Sequence, residues 1–191
     1  MDMKVAFARL EVSKRRNMPY SYKSGKKEVN EFIRRTCAKN SRVLDVGPGS
    51  GTYHTLLGDH FHSMDACEIY APYIKRFKLT EKYKTVHNKS VTAFDNFDEY
   101  DLVIFGDILE HLTIEDTQTV LGKAKNVKQL LIAVPFEYEQ GASHGNDAEE
   151  HVQDDLTHEN FMQRYPGFEP LHLVVRKGEM KYGYYVRQGS K

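Results

Sequence analysis

The chain has 191 residues, a length typical of one domain with a complete hydrophobic core. Apolar residues make up 40% of it and charged residues 28%, which is ordinary for a soluble globular protein. No run approaches the roughly 18 apolar residues that cross a membrane, and the first 16 residues lack the apolar stretch of a signal peptide. Cys37 and Cys67 are too few for a disulfide framework, so we predict free thiols and a cytoplasmic location.

The net charge of zero hides an uneven distribution of charge. Residues 1–42 contain 12 Lys and Arg against 4 Asp and Glu, whereas the remaining residues contain 15 against 23. Two interpretations are open: a basic arm that meets an acidic partner, or a solvated surface of mixed charge. We favour the solvated surface, because runs of charge usually behave that way.

Helix-like and strand-like segments alternate in the first half of the chain. KKEVNEFIRRTC predicts a helix whose apolar face carries Val29, Phe32, Ile33 and Cys37. A short strand RVLDV, a helix TYHTLLGDHF and a strand SMDACEI follow. Next comes PYIKRFKLTEKY, which predicts a single helix because its proline suits the first helical turn.

The second half continues the alternation and then breaks it. KTVHN is a weak strand and DLVIF a strong one, and TIEDTQTVLGKAKNV begins with a helix-start signature and presents Val120, Leu121 and Ala124 as its apolar side. The strand QLLIAVP follows. FEPLHLVVRKGEMKYGYYVR predicts two strands that form an antiparallel hairpin around the turn KGEM.

The order of these segments predicts an α/β fold. DLVIF and QLLIAVP are continuous apolar runs, as expected of strands that helices cover on both faces, and the alternation indicates a doubly wound, mostly parallel sheet. We expect a single domain with a basic arm and helix, a core, a long loop and a hairpin region, at residues 1–40, 41–135, 136–157 and 158–191. The loop at residues 136–157 is much longer than ordinary connections, which have only about 4–6 residues, and a loop that long in a compact domain is often functional.

The segment VLDVGPGSGT places glycines directly after a buried strand. Ligands of α/β sheets bind beyond the carboxyl ends of the strands, where glycine lets the backbone approach them. The dinucleotide fingerprint G-x-G-x-x-G requires a glycine where Thr52 stands, so that interpretation fails. The pattern that remains is D-x-G-x-G-x-G, formed by Asp45, Gly47, Gly49 and Gly51.

Together with DACEI and YDLVIFGDILEHL, this pattern resembles class I S-adenosylmethionine-dependent methyltransferases, a Rossmann-like family, over residues 40–187. The resemblance implies a seven-stranded sheet with a C-terminal antiparallel hairpin, and S-adenosylmethionine as cofactor with S-adenosylhomocysteine as product. It assigns Glu68, with Ile69 beside it, to the two ribose hydroxyls of the cofactor. It places Asp45 and Asp107 near the methionine end.

One position departs from the pattern of this family. Its members usually have an acid after the third strand that contacts the amino group of the adenine, and HNKSV contains none. We expect the side chain of Asn88 or Ser90, or the backbone, to contact the adenine instead.

Three histidines are the candidate catalytic residues. A hydroxyl acceptor generally needs a base, and histidine has an ordinary pKa close to neutrality. His111, in DILEHL, follows the fourth strand, where the acceptor is expected; a structural role is the alternative for it. His144 and His151 lie in the long loop, which from residue 137 to 159 holds eight Asp and Glu, three His and no Lys or Arg.

The acidic composition of the loop favours some acceptors over others. It would repel the phosphates of a nucleic acid, whose binding depends on Lys and Arg, so we do not expect a nucleic-acid partner. It suits a sugar, with Tyr138 available for stacking, or a cationic amine. A divalent metal at Asp147, His151, Asp154 or Asp155 is possible but not favoured, because the ligand spacing is irregular; we predict a solvated loop and no metal site.

The sequence as a whole predicts O-methylation of a small polar acceptor, with a sugar hydroxyl of a glycan as first choice. The alternatives are N-methylation of an amine or polypeptide side chain, and a non-catalytic methyltransferase-like binding subunit. The intact Asp45, Glu68 and Asp107 argue against the binding subunit. Tyr20 and Tyr22, before the first helix, are expected either to close over the cofactor or simply to pack. The oligomeric state is left open.

Overall fold

The structure is a computed structural model that describes residues 22–142 and 145–189. Its strands are β1 (Val43–Val46), β2 (Met64–Cys67), β3 (Thr85–His87), β4 (Leu102–Gly106), β5 (Gln129–Pro135), β6 (Glu169–Arg176) and β7 (Glu179–Gln188). They form one sheet of seven strands in the order β3-β2-β1-β4-β5-β7-β6. β1 to β5 are parallel, and β7 is antiparallel to both β5 and β6. The predicted α/β fold with a C-terminal hairpin is confirmed.

Helices connect the strands and cover the sheet. They are α1 (Lys26–Thr36), α2 (Thr52–Leu57), α3 (Ala71–Arg76), α4 (Leu79–Lys82), α5 (Ile114–Lys123) and α6 (His158–Arg164). Short 3-10 turns occur at Val91–Ala93, Phe97–Glu99, Leu109–His111 and Asp147–Glu149. Within the described part of the chain, no helix combines the length and the apolar character that crossing a bilayer requires.

The central strands are buried because helices pack on both faces of the sheet. Side chains alternate between the two faces along a strand. In β4, Val103 and Phe105 join one apolar cluster, while Leu102 and Ile104 join the other. α5 and α6 contribute to the first cluster, and α1, α2 and α4 contribute to the second. The continuous apolar run in the sequence is therefore the consequence of a strand covered on both sides.

The first predicted helix is confirmed, including its buried face. Val29 and Ile33 have no exposed surface, and Phe32 is partly buried beside them. Cys37, directly after α1, is buried, and both it and Cys67 are free thiols as predicted.

The segment PYIKRFKLTEKY forms two helices, so the prediction of a single helix is wrong. Lys78 adopts a left-handed backbone (φ 52°) and separates α3 from α4. Both Tyr73 and Leu79 are buried. A straight helix rotates about 100° per residue and would point these two side chains about 120° apart, so the break allows both to reach the core.

The C-terminal hairpin has a tighter turn than the predicted KGEM. β6 ends at Arg176 and β7 begins at Glu179, so the turn is Lys177–Gly178, both with positive φ (52° and 83°). Two such residues suit a type I′ hairpin turn. The sequence analysis missed α6, which begins with a capping box between Thr157 and Asn160 and buries Phe161 in the core.

Candidate active site

A cavity of about 1090 Å³ opens at the carboxyl ends of the central strands. This is the edge of a parallel sheet at which ligands of α/β proteins bind. Of the predicted site residues, the ones that line the cavity are Gly47, Gly49, Glu68, Ile69, Asp107, His111 and His151. Asp45, Gly51, Asn88 and Ser90 are not among its lining residues. His144 lies outside the described residues.

The glycine turn after β1 forms one wall of the cavity. Gly47, Gly49 and Gly51 all have positive φ, at 59°, 50° and 86°. A Cβ at Gly47 would lie 2.0 Å from Cδ1 of Ile108, so glycine is needed there both for conformation and for space. Gly51 precedes α2 and turns the chain into that helix. The turn therefore presents bare backbone to the cavity.

Glu68 lies just beyond β2, on the same side of the cavity. Its side chain is 4% exposed, and one carboxylate oxygen accepts a hydrogen bond from the backbone N–H of Tyr70 (2.8 Å). Burial raises the pKa of Glu68 to about 7, while hydrogen bonds from the N–H groups of Tyr70 and Gly49 oppose this shift. The carboxylate can accept hydrogen bonds from a diol when it is charged.

Asp45 is fully buried beneath the cavity floor. It accepts a hydrogen bond from the hydroxyl of Tyr83 (2.6 Å). Burial raises the pKa of Asp45 to about 7, while the Tyr83 hydrogen bond and the charge of Lys26 lower it. The ammonium of Lys26 lies over the ring of Tyr53, 3.8 Å from its centroid, and its pKa is lowered to about 8 by burial. Asp45 is thus held by Tyr83 in the interior and does not line the cavity.

Asn88 and Ser90 hold backbone near the cavity without lining it. The amide of Asn88 donates to the carbonyl oxygens of Glu68 (2.8 Å) and Ile69 (3.0 Å). Ser90 accepts from the backbone N–H of Thr92 (3.3 Å). Asn88 therefore fixes the turn that carries Glu68, and direct contact of either side chain with adenine stays a prediction.

Asp107 lines the cavity directly after β4. Its φ of 58° lies in the left-handed region, which residues other than glycine rarely adopt. Residues with such strained backbone cluster at functional sites. The hydroxyl of Tyr182 donates to Oδ1, and Oδ2 is buried with no hydrogen bond to another described residue. Tyr22 stacks on Tyr182 with centroids 5.2 Å apart and lines the cavity, whereas Tyr20 lies outside the described residues.

The turn Leu109–His111 and the long loop meet at the far end of the cavity. The backbone N–H groups of Val152 and Gln153 donate to the carbonyl oxygen of Glu110 (2.9 and 3.1 Å). The buried amide of Gln153 donates to the carbonyl oxygens of Leu109 (2.8 Å) and Leu112 (2.9 Å). In its described part the loop is therefore anchored to the β4 end of the sheet at these two residues, while most of its other side chains are exposed, as predicted for a solvated segment.

This packing brings Glu110, His111 and His151 together. The two imidazole rings lie edge to face with centroids 4.6 Å apart. Burial and the neighbouring His151 lower the pKa of His111 to about 4, and burial also lowers the pKa of His151. Burial, with repulsion from Asp107, raises the pKa of Glu110 well above its ordinary value. The sequence analysis did not select Glu110, although it is the residue before His111 in DILEHL.

The other acids considered for a metal do not join this group. Asp155, three residues before α6, is paired with Arg164 at the end of that helix, and Asp147 begins a short 3-10 turn. Among the described residues, the one group of three metal-binding side chains is Glu110, His111 and His151. Of the four residues considered for a metal and not favoured in the sequence analysis, His151 is the one in this group.

The mouth of the cavity has mixed charge. Glu137, Glu149 and Glu179 line it, but so do Arg176, Lys177 and Lys181 from the hairpin. The acidic loop in the sequence is thus balanced by cations that β6 and β7 bring from a distant part of the chain.

Comparisons with known proteins agree with this geometry. A family model described as a methyltransferase domain matches residues 15–136. No curated protein matches the chain. An S-adenosylmethionine-dependent methyltransferase from Clostridium acetobutylicum ATCC 824 is similar in structure, with a TM-score of 0.66 and 12% identity over 99% of this chain and 100% of the other.

Two further solved structures have the same fold. The methyltransferase domain of bacterial CtHen1-CN has a TM-score of 0.62 and 16% identity, over 86% of this chain and 98% of the other. The 1,6-didemethyltoxoflavin-N1-methyltransferase of Burkholderia thailandensis, solved with 1,6-didemethyltoxoflavin and S-adenosylhomocysteine, has a TM-score of 0.62 and 17% identity, over 88% and 79%. Identities this low establish a shared fold and leave the acceptor to be argued from the site.

Proposed function

This chain belongs to the methyltransferase domain family, and we propose that it methylates a hydroxyl group of a small polar acceptor, with a sugar hydroxyl as first choice. The observation that carries the proposal is the group formed by Glu110, His111 and His151 at one end of the cavity. Glu68 and the glycine turn occupy the other end. One cavity thus offers a place for a cofactor and, across Asp107, a polar place for an acceptor.

The residues at the first end fit S-adenosylmethionine. The positive-φ glycines Gly47 and Gly49 leave room for a ligand to approach the backbone. Glu68 is a buried carboxylate that can accept from both ribose hydroxyls, and Asp107, which lines the same cavity, has a buried oxygen with no hydrogen bond to another described residue. When bound, S-adenosylmethionine supplies a methyl carbon that the acceptor oxygen attacks, with the carbon–sulfur electron pair remaining on sulfur.

The residues at the second end would orient and activate the hydroxyl. Nδ1 of His151 donates to the carbonyl oxygen of Tyr138 (2.7 Å), so Nε2 keeps its lone pair. We assign this atom to receive the proton that the hydroxyl loses. Because burial lowers the pKa of His151, its imidazole is neutral near pH 7 and able to accept a proton. His111 is more deeply buried and orients the acceptor beside it.

The surroundings of these histidines favour a hydroxylated acceptor of modest size. Gln140, Asn146 and Glu149 line the cavity, and the ring of Tyr138 is 37% exposed beside His151. Sugars combine many hydroxyls with apolar faces that pack on aromatic rings. A set of neutral and acidic hydrogen-bonding groups next to an aromatic ring matches that combination.

An amine is the second candidate acceptor, and one observation favours it. The partly buried Asp107 and the buried Glu110 repel each other, and a cationic ligand would relieve this repulsion. Methyl transfer would then require the amine to lose its proton before it reacts.

A labelled-methyl assay tests the proposal. The chain is incubated with radiolabelled S-adenosylmethionine and, separately, with glycosides, small amines, a mixed polypeptide and nucleic acid. We expect label on a glycoside, and none with Glu68→Ala, which removes the ribose-binding carboxylate. Label confined to amines or polypeptide, or found on nucleic acid alone, would overturn the choice of a sugar hydroxyl.

A further inference from the structure

The far end of the cavity contains three side chains that together offer a metal-binding set. Glu110 and His111 come from the turn after β4, and His151 comes from the long loop. One potential ligand atom of each lies within 4.8 Å of the others. A carboxylate and two imidazoles at such separations can bind a single ion without a large rearrangement of the backbone.

The hydrogen bonds of His111 and His151 leave the Nε2 atom of each ring available to bind a metal ion. Nδ1 of His111 donates to the carbonyl oxygen of Glu150 (3.1 Å), and Nδ1 of His151 donates to that of Tyr138 (2.7 Å). A carbonyl oxygen only accepts, so each Nδ1 carries the hydrogen and each Nε2 carries a lone pair. Histidines that bind metals are commonly held in this way, with the other ring nitrogen donating to a backbone carbonyl.

Glu110 supplies a second and independent observation. Its side chain is 1% exposed, and neither carboxylate oxygen is hydrogen-bonded to another described residue. The charged groups that act on it, Asp107 and Glu149, are both acidic. Burying a charge is costly unless it is paired or bound to a metal ion, so this carboxylate lies in a place suited to a cation.

We propose that Glu110, His111 and His151 bind a divalent first-row transition metal ion at the acceptor end of the cavity. Two imidazoles with one carboxylate suit ions such as Mn²⁺, Co²⁺ or Zn²⁺, whereas Ca²⁺ takes ligand sets made of oxygen. Asp107, which interacts with both Glu110 and His151, adds negative charge nearby. Three protein ligands leave positions on the ion open to the cavity.

The open positions on the ion indicate how the acceptor would bind. This part of the inference rests on the proposed O-methylation. Two neighbouring hydroxyls of a sugar can occupy two positions on one ion. A bound hydroxyl loses its proton more readily. Since His111 and His151 would then use their Nε2 lone pairs on the ion, the metal-bound form would release the proton to solvent, and His151 would receive it only in the metal-free form.

Cobalt titration tests the metal site without any acceptor. The chain is stripped with chelator and titrated with Co²⁺, and binding is followed by calorimetry and visible absorption. We expect one ion per chain. Glu110→Gln and His151→Ala should each weaken Co²⁺ binding by at least about 100-fold. Removing a residue that only hydrogen-bonds to a metal ligand already lowers metal affinity by about 10–100-fold, and these substitutions remove a ligand itself. His62→Ala, at an exposed histidine that does not line the cavity, should bind Co²⁺ as the unaltered chain does.

The controls separate a lost ligand from a damaged fold and from a wrong acceptor. Binding of S-adenosylhomocysteine by each variant reports whether the cavity is intact. No Co²⁺ uptake by the unaltered chain, or equal uptake by it and by His151→Ala, would overturn the metal site. If Co²⁺ binds as expected but label reaches only amines, the metal site stands and the sugar proposal fails. If glycosides are labelled and no Co²⁺ binds, the reverse holds.

Discussion

The two ends of the cavity are built in different ways. The cofactor end consists of residues that directly follow strands: the glycine turn after β1, and Glu68 after β2. The acceptor end joins the Leu109–His111 turn to His151, about 40 positions later, through hydrogen bonds to backbone carbonyls. The first end depends on local conformation and the second on long-range packing, so substitutions should affect the two ends separately.

Glu68→Ala should have the largest effect, and only at the cofactor end. We expect the affinity for S-adenosylhomocysteine to fall by about 100-fold or more, since a hydrogen bond to a charged group contributes about 1.5–3 kcal/mol and Glu68 is assigned two. Calorimetric titration measures this change. Glu81→Ala, at an exposed acid on α4, is the matched control and should bind normally. An affinity for Glu68→Ala within a few-fold of the unaltered chain would refute the assignment.

Gln153→Ala should damage the acceptor end instead. The substitution removes the buried amide that donates to Leu109 and Leu112 and accepts from the hydroxyl of Tyr165. We expect the free energy of unfolding to fall by about 2–3 kcal/mol, because buried partners lose their hydrogen bonds. Methyl transfer should fall further than cofactor affinity does.

Urea denaturation and calorimetry measure these two quantities. Gln118→Ala, at an exposed position of α5, should change stability by less than about 0.5 kcal/mol. A Gln153→Ala protein that loses cofactor affinity and methyl transfer in equal proportion would show that the two ends are not independent.

Gly47→Ala should destabilise the fold by about 2 kcal/mol, through a left-handed conformation that costs about 1–2 kcal/mol and a Cβ that collides with Ile108. Gly122→Ala offers a control of opposite sign. A Cβ at Gly122, within α5, meets nothing within 4 Å, so alanine should stabilise the protein by about 0.5–1 kcal/mol. Thermal and chemical denaturation of both variants measure the difference. Equal effects at the two glycines would contradict a strained turn.

A change of one pH unit should have a smaller effect than Glu68→Ala, again at the cofactor end. Because burial raises the pKa of Glu68 to about 7, the carboxyl becomes protonated below that pH and cannot accept from both ribose hydroxyls. We expect the affinity for S-adenosylhomocysteine to fall as the pH decreases below about 7, approaching tenfold per unit. Glu68→Gln should remove most of this dependence, with the remainder due to Asp45, whose pKa is also raised to about 7.

The stability of the cofactor-free protein should change with pH in the opposite direction. A pKa of Glu68 raised above the ordinary 4.5 means that the folded state binds the proton more tightly than the unfolded state does. The stabilisation from that proton is complete below pH 4.5 and is lost as the pH rises to about 7. Denaturation at several pH values, with and without Glu68→Gln, would show this contribution, and its absence would contradict the raised pKa.

Much of the cofactor end could be predicted from the sequence because its signals are local. D-x-G-x-G-x-G reports a turn that only glycine allows, and the structure has positive φ at Gly47, Gly49 and Gly51. The continuous apolar strands predicted a sheet covered on both faces, which the two apolar clusters confirm. Local patterns did not distinguish Asp45, which lies beneath the cavity, from Glu68, which lines it.

The composition of the acceptor end and the break between α3 and α4 are visible only in the tertiary structure. Composition described the loop as acidic and solvated, but hydrogen bonds to the carbonyl of Glu110 place His151 beside His111. The left-handed Lys78 divides a segment that has the pattern of one helix, since both Tyr73 and Leu79 have to be buried. Hydrophobic periodicity records which face of an element is buried. The meeting of side chains 40 positions apart depends on packing and on the partners found by backbone hydrogen-bonding groups, and no short stretch of sequence contains that information.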